Sequence, residues 1–320
     1  MTAPDSPGAS TKPFVEALRR GPFGLGTAPL AGLYDAVPPE QARAALRAAW
    51  DGGVRYYDTA PHYGAGLAER RLGEFLRTVP RAEAVVSTKV GRLLVRADGP
   101  DEAAGFADDA PLRRVIDFSA DGVRRSLDES LRRSGLDRFD LVFIHDPDDH
   151  WEQAVGQAYP ALARLRDEGV VRAIGVGMNQ AEMLARFVRE TDIDAVLVAG
   201  RYTLLDQRAD EDLLPACLRR GVAVIAGGVF NSGILADPGP DAHYDYQPAP
   251  APILARALAM QAECQSFGVT LPAAAVQFPR RHPAVTTVLV GARSAEEVDQ
   301  DLALLDTPVP DELWPRLAER

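Results

Sequence analysis

The sequence predicts a single-domain α/β protein, a (β/α)8 TIM barrel, from the number, composition and spacing of its apolar runs. Eight short apolar runs alternate with segments of helical periodicity between Phe23 and Leu304. The runs are almost continuously apolar, as strands are when helices cover both faces of a parallel sheet. Because α/β barrels commonly extend to about 250 residues as one unit, a chain of 320 residues accommodates one barrel with long loops.

The predicted strands are rich in β-branched residues and end in polar or glycine-containing turns. The first, Phe23–Leu33, is short and interrupted by glycine and proline. The other seven are, in chain order, Val54–Asp58, Ala84–Val90, Phe139–His145, Val171–Val176, Ala195–Ala199, Val222–Ala226 and Thr286–Val290.

The predicted helices are segments in which apolar residues recur every three or four positions. The first, Pro39–Asp51, ends at two glycines that form a C-cap signal. The others are Ala68–Arg77, Ser119–Ser134, Trp151–Glu168, Ala181–Glu190, Asp210–Arg219, Ile253–Phe267, Leu271–Arg280, Ala295–Leu304 and a terminal Asp311–Ala318.

Three segments lack periodicity. Residues 1–20 are rich in Pro, Ser and Gly and contain no apolar signal-peptide region, so we expect a flexible N-terminal tail before a barrel that spans residues 21–320. Gly91–Phe118 is long and polar, and loops of that length are uncommon unless they are functional or disordered. The sequence leaves open whether this loop closes over a site. Gly227–Pro252 is a second long loop, rich in Gly, Pro, Asp and Tyr.

A doubly wound parallel sheet is the competing fold. Such a sheet normally has a glycine-rich turn after its first strand, with an acidic residue about 20 positions later. Gly24–Gly26 offers only G-L-G before Thr27. The count of eight strand–helix units therefore favours the barrel, whose active site lies at the C-terminal ends of the strands.

Composition excludes several classes of partner. The net charge is −11, from 35 basic and 46 acidic residues, which disfavours binding to nucleic acid or to an anionic membrane. No apolar run approaches the roughly 18 residues needed to span a bilayer. The two cysteines, Cys217 and Cys264, predict neither a disulfide framework nor a metal site, and they suit a reducing compartment. We therefore expect a soluble, cytoplasmic protein.

An acid, a phenol and a lysine fall at neighbouring strand ends. Asp58 ends the second predicted strand, Tyr63 follows in a turn, and Lys89 lies near the end of the third strand. Only two lysines occur in the chain, and the other, Lys12, lies in the predicted tail. An ammonium beside Tyr63 is expected to favour the phenolate and lower the pKa of that tyrosine, with Asp58 holding the lysine in place. This trio is suited to proton transfer, although a core tyrosine above a salt bridge has the same spacing.

His145 ends the fourth predicted strand and adds a fourth candidate. Four polar residues at consecutive strand ends favour catalysis over an ordinary structural histidine. Metal binding is disfavoured, because the set holds a lysine and only one histidine. Schiff-base chemistry on Lys89 is the alternative mechanism, and it would leave Tyr63 and His145 with less defined roles.

Three motifs carry a resemblance to a known family. They are D-T-A-P-H-Y-G at Asp58–Gly64, S-T-K at Ser87–Lys89 and L-V-F-I-H at Leu141–His145. In this order they resemble the signature of the aldo-keto reductases, and the similarity extends from about Gly24 to about Asp301. The resemblance implies a (β/α)8 barrel that binds an extended nicotinamide dinucleotide without a Rossmann domain.

The resemblance also implies a role for each of the four catalytic candidates. Tyr63 would be the general acid/base on the substrate oxygen, and Lys89, paired with Asp58, would tune its pKa. His145 would hydrogen-bond the reacting oxygen and orient it for hydride transfer.

Further motifs resemble one branch of the family, the bacterial L-fucose, D-threo-aldose and galactose 1-dehydrogenases, with pyridoxal 4-dehydrogenase as a neighbour. The branch implies oxidation of a hemiacetal to a lactone. In the loop after His145, sugar hydroxyls could hydrogen-bond to Asp146, Asp148, Asp149 and His150. Asp148 and His150 are the predicted substrate-binding residues, while an acidic turn that caps the following helix is the alternative interpretation. The motifs are D-F-S at Asp117–Ser119, I-H-D-P-D-D-H-W at Ile144–Trp151 and G-V-G-M-N-Q at Gly175–Gln180.

The family pattern implies cofactor contacts at the barrel mouth, some of which this chain alters. Asn179 stands one position later than the family's Ser-Asn pair, which holds the carboxamide. The aromatic that stacks on the nicotinamide aligns with Gly227, so Phe230 or Tyr202 is expected to replace it. The predicted contacts are Gly26 and Thr27 at the nicotinamide, Asn179, Tyr202 and Phe230 around it, and Gly228, Ser232, Gly233 and Leu235 in the loop around the pyrophosphate.

The adenosine end is predicted at Gly291, Arg293, Glu297 and Asp301. NADP-specific members place an arginine where this chain has Glu297, and a carboxylate suits a free ribose hydroxyl but repels a phosphate. Arg293, by contrast, is a cation and favours NADP. NAD is therefore the preferred cofactor and NADP the alternative.

The sequence thus predicts an NAD(P)-dependent dehydrogenase that takes a hydride from the anomeric carbon of an aldose such as L-fucose, D-arabinose or galactose. A pyridoxal 4-dehydrogenase or general aldehyde/ketone reductase is the enzymatic alternative. The non-enzymatic alternative is a catalytically silent cofactor-binding barrel. The identity of the sugar and the oligomeric state stay open.

Overall fold

Eight parallel strands close into a barrel in the computed structural model, which describes residues 13–33, 35–99, 101, 105–107 and 110–318. Each strand pairs with its neighbours in chain order, and the last pairs with the first. This confirms the predicted single-domain (β/α)8 barrel. The strands are β1 Gly24–Gly26, β2 Tyr56–Asp58, β3 Val85–Val90, β4 Leu141–His145, β5 Ala173–Met178, β6 Ala195–Ala199, β7 Ala223–Gly227 and β8 Val285–Gly291.

Helices surround this barrel and bury their apolar faces against it. Within the described part of the chain, no helix is both long and apolar enough to cross a membrane. The helices are Pro13–Leu18, Pro39–Asp51, Leu67–Leu76, Ala120–Ser134, Trp151–Gln153, Tyr159–Asp167, Ala181–Glu190, Leu213–Arg220, Ala251–Ser266, Leu271–Gln277, Ala295–Asp306 and Leu313–Ala318.

Prolines divide two of the predicted helices. The segment predicted as one helix at Trp151–Glu168 contains a π-helical turn at Ala154–Ala158, just before Pro160. The segment predicted to reach Arg280 tightens into a 3₁₀ turn around Pro279. Proline has no N–H to donate to the preceding turn, so the regular α pattern changes at both places.

Both long loops contain a hairpin that sequence reasoning missed. In the first loop, Arg92–Arg96 pairs with Leu112–Ile116 as an antiparallel ribbon, here called the mouth hairpin. In the second loop, His243–Tyr244 pairs with Gln247–Pro248. The mouth hairpin was missed because arginines interrupt its apolar residues and hide the alternation typical of a strand.

The predicted tail is partly wrong. Residues 13–18 form a helix instead, and Phe14, Val15 and Leu18 of this helix are buried in the cluster that fills the barrel interior. This helix, α1, seals the N-terminal end of the barrel, opposite the strand ends that carry the polar candidates. Residues 1–12 of the predicted tail lie outside the described residues.

Glycines on the strands make room for aromatic rings inside the barrel. A Cβ at Gly24 would overlap the ring of Tyr56, and a Cβ at Gly175 would lie 2.8 Å from the ring of Phe143. Both rings are fully buried. Rings and glycines on neighbouring strands thus fit against each other, as in the packed interior of a barrel.

Two buried aspartates fix the register at the N-terminal ends of the strands. Asp140, just before β4, accepts the backbone N–H of Val86 on β3 at 3.0 Å and the guanidinium of Arg81 at 2.9 Å. Asp194, just before β6, accepts the N–H of Ile174 on β5 at 2.9 Å, with Arg166 at 3.0 Å. The same arrangement of a buried aspartate and an arginine thus joins β3 to β4 and β5 to β6.

Replacing Gly73 by alanine is expected to destabilise the protein. Helix Leu67–Leu76 crosses helix Ala120–Ser134 so closely that a Cβ at Gly73 would overlap the backbone carbonyl of Ser134. Overpacking against backbone costs about 1–3 kcal/mol, and we expect the free energy of unfolding to fall by that amount. Urea denaturation measures it.

Gly156→Ala is the matched control, because a Cβ at Gly156 meets no atom of the described structure within 4 Å. This variant should be neutral or more stable than the wild type. Equal stability of the two variants would contradict the close helix crossing.

Candidate active site

Lys89 is buried at the C-terminal end of the barrel, between a carboxylate and a phenol. Its ammonium nitrogen lies 2.5 Å from Asp58 Oδ2 and 2.9 Å from Tyr63 Oη. It also donates to the backbone carbonyl of Thr59 at 3.1 Å, so all three of its donors are used. Lys89 and Asp58 are 2% and 1% exposed, and the arrangement brings together three predicted residues from two neighbouring strands.

A hydroxyl relay orients Asp58. Its other carboxylate oxygen accepts the hydroxyl of Ser87 at 2.6 Å, and Ser87 in turn lies 2.9 Å from the hydroxyl of Tyr56. The backbone carbonyl of Asp58 accepts both the N–H and the hydroxyl of Thr27, each at 2.9 Å. These bonds hold the carboxylate in one position and leave its second oxygen for the lysine.

A tight turn places Tyr63 above the lysine. Tyr63 N–H donates to the carbonyl of Ala60 at 3.1 Å, and Gly64 follows with a φ of 55°. A Cβ at Gly64 would lie 2.7 Å from the carbonyl oxygen of Ala31, so the turn requires glycine there. The turn brings the tyrosine ring to 4.5 Å from the Lys89 nitrogen.

The predicted lowering of the Tyr63 pKa is wrong for this structure. Burial raises the pKa of Tyr63 well above its usual value, and the charges of Asp58 and Asp146 raise it further. Because Asp58 neutralises Lys89 at 2.5 Å, the lysine's field at the phenol is largely cancelled. Tyr63 therefore rests as a neutral phenol, with a hydrogen bond from Lys89 that can stabilise the phenolate once it forms.

His145 ends β4 beside this group and is uncharged near neutral pH. Its ring centroid lies 6.1 Å from that of Tyr63, in an edge-on arrangement. Burial lowers the pKa of His145 well below its usual value, and the cations Lys89 and Arg92 lower it further. A neutral imidazole has one N–H and one bare nitrogen, so it can donate a hydrogen bond to a reacting oxygen.

The mouth hairpin and the described residues of its connection form one wall of the site. Arg114 donates two hydrogen bonds to the backbone carbonyl of His62, at 2.7 and 3.2 Å. Phe106, in the hairpin's connection, packs edge-on against His62 at 5.5 Å and lies 6.2 Å from the Tyr63 ring. Arg92 reaches Asp146 on the opposite side at 3.1 Å.

Sequence reasoning missed three residues of this site: His62, Arg92 and Tyr246. His62 lies inside the D-T-A-P-H-Y-G motif, and its pKa is lowered to about 3 by burial and by Arg92 and Arg114. His62 directly precedes Tyr63, and Arg92 comes three positions after Lys89, so nearness to a recognised residue was the available signal. Tyr246 comes from a hairpin that the sequence pattern did not reveal.

A cavity of about 710 Å³ adjoins this group, within the size range of small-molecule and cofactor sites. Leu33, Asn179 and Tyr246 form its inner end at the barrel mouth, while Tyr63 and His145 are not among its described wall residues. Its wall includes nine of the predicted cofactor contacts: Asn179, Gly228, Phe230, Ser232, Gly233, Gly291, Arg293, Glu297 and Asp301.

The other four predicted contacts are absent from the described cavity wall. Thr27 and Gly26 lie behind it at the end of β1, where the Thr27 hydroxyl is bonded to Asp58. Tyr202 packs between Phe278 and His282, at 5.2 and 5.6 Å between ring centroids. Leu235 is fully buried in a separate apolar cluster. Of the two aromatics expected at the nicotinamide, the structure places only Phe230 on this wall.

The far end of the cavity carries the charged residues predicted for the adenosine. Glu297 accepts the backbone N–H of Arg293 at 2.7 Å and its guanidinium at 3.1 and 3.2 Å. Asp35 binds the same guanidinium at 3.1 Å. Burial and the neighbouring Glu297 raise the pKa of Asp301 to about 7. Arg293 is thus already occupied by two carboxylates.

The two predicted substrate residues lie next to the site in different surroundings. Asp148 is half-buried, and its charge raises the pKa of Asp146. His150 packs against the ring of Phe118 at 5.5 Å between centroids. Asp146 makes the closer approach to His145, with its Oδ2 at 3.4 Å from the histidine Nε2.

Proton-transfer groups at the mouth of a barrel, beside a cavity large enough for a dinucleotide, define the class of the protein as an oxidoreductase. Comparison with known proteins gives the family. Residues 22–319 match the model of the "Aldo/keto reductase family", which spans almost the whole chain. The protein belongs to the aldo/keto reductase family, whose members use nicotinamide nucleotides, and it is an enzyme of that family.

The relatives of the chain include two named dehydrogenases. It is 45% identical to a D-threo-aldose 1-dehydrogenase of a Pseudomonas species, over 97% of this chain and 98% of the relative. It is 42% identical to a pyridoxal 4-dehydrogenase of Microbacterium luteolum, over 92% of each. A glycerol dehydrogenase structure from Gluconobacter oxydans shares the fold, with a TM-score of 0.77 at 24% identity, over 93% of this chain and 90% of that one.

Acidification is expected to destabilise the protein through its buried neutral histidines. His62 and His145 stay unprotonated when folded, whereas in the unfolded chain each takes up a proton near its usual pKa of 6.5. The unfolded state therefore binds more protons, and the free energy of unfolding falls as the pH drops below 6.5. The slope is about 1.4 kcal/mol per pH unit for each histidine.

His62→Asn should reduce this slope by about one proton per molecule. Urea denaturation between pH 4 and pH 8 measures it, and the value at pH 8, where neither histidine is charged, separates the proton effect from lost packing. Parallel pH profiles for the two proteins would contradict a buried neutral His62.

Proposed function

We propose that this enzyme oxidises an aldose at its anomeric carbon and passes the hydride to a nicotinamide cofactor, to give a lactone. The observation that carries the proposal is the buried Asp58–Lys89–Tyr63 array beside a neutral His145. It is supported by the 45% identity to a D-threo-aldose 1-dehydrogenase over nearly the full length of both chains. Differences in substrate specificity between members of the family would come from the loops around this array.

Tyr63 is the group that moves the proton. In the direction of oxidation the anomeric hydroxyl must lose its proton, and Tyr63 accepts it as the phenolate. Lys89 stabilises that phenolate through its 2.9 Å hydrogen bond, and Asp58 keeps the lysine in place. Because burial raises the Tyr63 pKa, alkaline pH favours oxidation and lower pH favours reduction.

His145 orients the reacting oxygen. Because His145 is neutral, it can donate one hydrogen bond to this oxygen without placing a second positive charge beside Lys89. The oxygen would then sit between the phenol and the imidazole, with its carbon facing the cofactor. A bound nicotinamide supplies the chemistry that no side chain can, which is acceptance of the hydride.

The residues of the cavity fit such a cofactor. Asn179 offers an amide at the inner end, and the loop after β7 carries Asn231 and Ser232 in the left-handed region, with φ of 46° and 59°. A Cβ at Gly228 would lie 3.0 Å from the backbone nitrogen of Gly200, so glycine lets the loop pack closely. The carboxylates at the far end suit ribose hydroxyls.

NAD is the preferred cofactor in this proposal. Glu297 repels a ribose phosphate by its own charge, and it also occupies Arg293, which would otherwise attract one. The resulting end of the cavity favours a free ribose. A cytoplasmic location, inferred from the cysteine content, stays a prediction.

The test of the proposed function is cofactor reduction with a panel of sugars. Purified enzyme with NAD or NADP is mixed with L-fucose, D-arabinose, D-galactose or pyridoxal, and absorbance of the reduced nicotinamide is followed. We expect turnover with at least one aldose. Turnover with pyridoxal alone would favour the activity of the 42% identical relative, and inactivity with every compound, in reduction as well as oxidation, would overturn the proposal.

Tyr63→Phe is expected to lower kcat for aldose oxidation by about 10²–10⁴-fold, the contribution of a general acid/base. Cofactor affinity, measured by quenching of protein fluorescence, should change little, since the phenol is not part of the cavity wall. Tyr159→Phe is the control, because that phenol lies on the outside of the barrel, where its oxygen accepts the backbone N–H of Asp192. Full turnover by Tyr63→Phe would exclude the mechanism.

Glu297→Gln should shift the cofactor preference toward NADP. The substitution removes a charge near the ribose and weakens the hold on Arg293, so the ratio of kcat/KM for NADP over NAD should rise about tenfold or more. Glu296→Gln, at the exposed neighbouring position, is the matched control. An unchanged ratio in Glu297→Gln would show that another group sets the preference.

A further inference from the structure

An ion pair at the barrel mouth lies outside the four-residue array of Asp58, Tyr63, Lys89 and His145. Arg92, from the mouth hairpin, reaches Oδ2 of Asp146 at 3.1 Å. The same oxygen lies 3.4 Å from Nε2 of His145. The pair therefore stands directly beside the imidazole that would orient the reacting oxygen.

The backbone turns Asp146 toward the mouth. Its φ is 44°, in the left-handed region that few residues other than glycine, asparagine and aspartate adopt. Its N–H donates to the carbonyl of Gly177 on β5 at 3.0 Å, which fixes this conformation. Such conformations persist only where the surrounding structure holds them, and they cluster at functional sites.

The pair has unused hydrogen-bonding capacity. Nε of Arg92 is buried and has no partner among the residues that the structure describes. The hydrogen bond from Arg92 reaches Oδ2 of Asp146, so Oδ1 keeps its capacity to accept another. The side chains are 22% and 32% exposed, so one face of the pair is open. A buried donor without a partner costs free energy unless a ligand or water completes it.

Burial also affects the carboxylate. It raises the pKa of Asp146, and the nearby charge of Asp148 adds to this, while Arg92 opposes it. An anion in this position gains from any additional donor. Sugar hydroxyls are donors, and each is also an acceptor for a guanidinium N–H.

We propose that Arg92 and Asp146 bind the hydroxyl on the carbon next to the reacting carbon and thereby select 2-hydroxy aldoses. In an aldose, that hydroxyl is adjacent to the anomeric oxygen. If His145 holds the anomeric oxygen, the neighbouring hydroxyl falls next to Asp146, because the two side chains nearly touch. The hydroxyl donates to the carboxylate and accepts from the guanidinium. This inference rests on the proposed function.

The alternative role is anchoring, in which the pair only ties the mouth hairpin to the loop after β4. Anchoring accounts for the ion pair but not for the unpartnered Nε or for the open face. The two roles differ in one measurable respect: loss of an anchor would slow all sugars alike, whereas loss of a hydroxyl contact would act only on sugars that carry the hydroxyl.

The experiment compares sugars that differ only at carbon 2. The pairs are D-galactose with 2-deoxy-D-galactose and D-arabinose with 2-deoxy-D-ribose. The quantity is the ratio of kcat/KM for the hydroxylated over the deoxy sugar, and intrinsic differences in reactivity cancel when this ratio is compared between variants. In the wild type we expect a ratio of about ten or more.

The variants Asp146→Asn and Arg92→Gln should each lower that ratio about tenfold. Both residues also act on the pKa of Tyr63, so any change in proton transfer falls on both sugars of a pair and cancels in the ratio. Asparagine tolerates the left-handed backbone, so Asp146→Asn should fold, and thermal unfolding checks this. Asp149→Asn, a carboxylate in the same turn, is the matched control and should keep the wild-type ratio.

The outcomes separate the two proposals. A wild type that oxidises the hydroxylated sugars, with the same ratio in both variants, overturns the hydroxyl contact and leaves the proposed function standing. A wild type that oxidises no aldose overturns the proposed function and this inference together. A ratio that falls in Asp149→Asn as well would also contradict the assignment to Arg92 and Asp146.

Discussion

The structure depends on one buried charge, the ammonium of Lys89. Removing an ammonium from water costs several kcal/mol unless a partner and hydrogen bonds replace its hydration. Asp58 provides the charge at 2.5 Å, while Thr59 and Tyr63 provide the remaining acceptors. The lysine can meet all of these groups only because β2 and β3 are adjacent and parallel. The array of charged and polar groups at the barrel mouth therefore depends on the strand order of the barrel.

The loops above the barrel add what the strands cannot. Arginines are the cations there: Arg114 ties the mouth hairpin to the backbone of His62, and Arg92 meets Asp146. Both guanidiniums also disfavour protonation of His62, so the hairpin affects the charge of the site as well as its shape. Since the hairpin is held by a few side chains, its sequence can change without disturbing the strands, and different substrates become accessible on one scaffold.

The barrel fold and most of the catalytic candidates were predictable from the sequence, for different physical reasons. Strands buried on both faces leave uninterrupted apolar runs, so the barrel was recognised, and polar residues at their ends located Asp58, Lys89 and His145. The mouth hairpin was missed because its pairing partner is distant in the chain and arginines interrupt its pattern. The Tyr63 pKa was predicted in the wrong direction, because its sign depends on burial and on the distance between Lys89 and Asp58, neither of which a sequence displays. The occupation of Arg293 by Glu297 likewise depends on side-chain geometry.

Helix α1 has a practical consequence. It closes the end of the barrel opposite the catalytic mouth, and Phe14, Val15 and Leu18 hold it there. A protein attached to a solid support through the exposed side of this helix, for example at Glu16, would face the solution with its open end. Substrate and cofactor would then diffuse to an unobstructed entrance, so a biosensor or flow reactor built in this orientation should retain the turnover of the free enzyme.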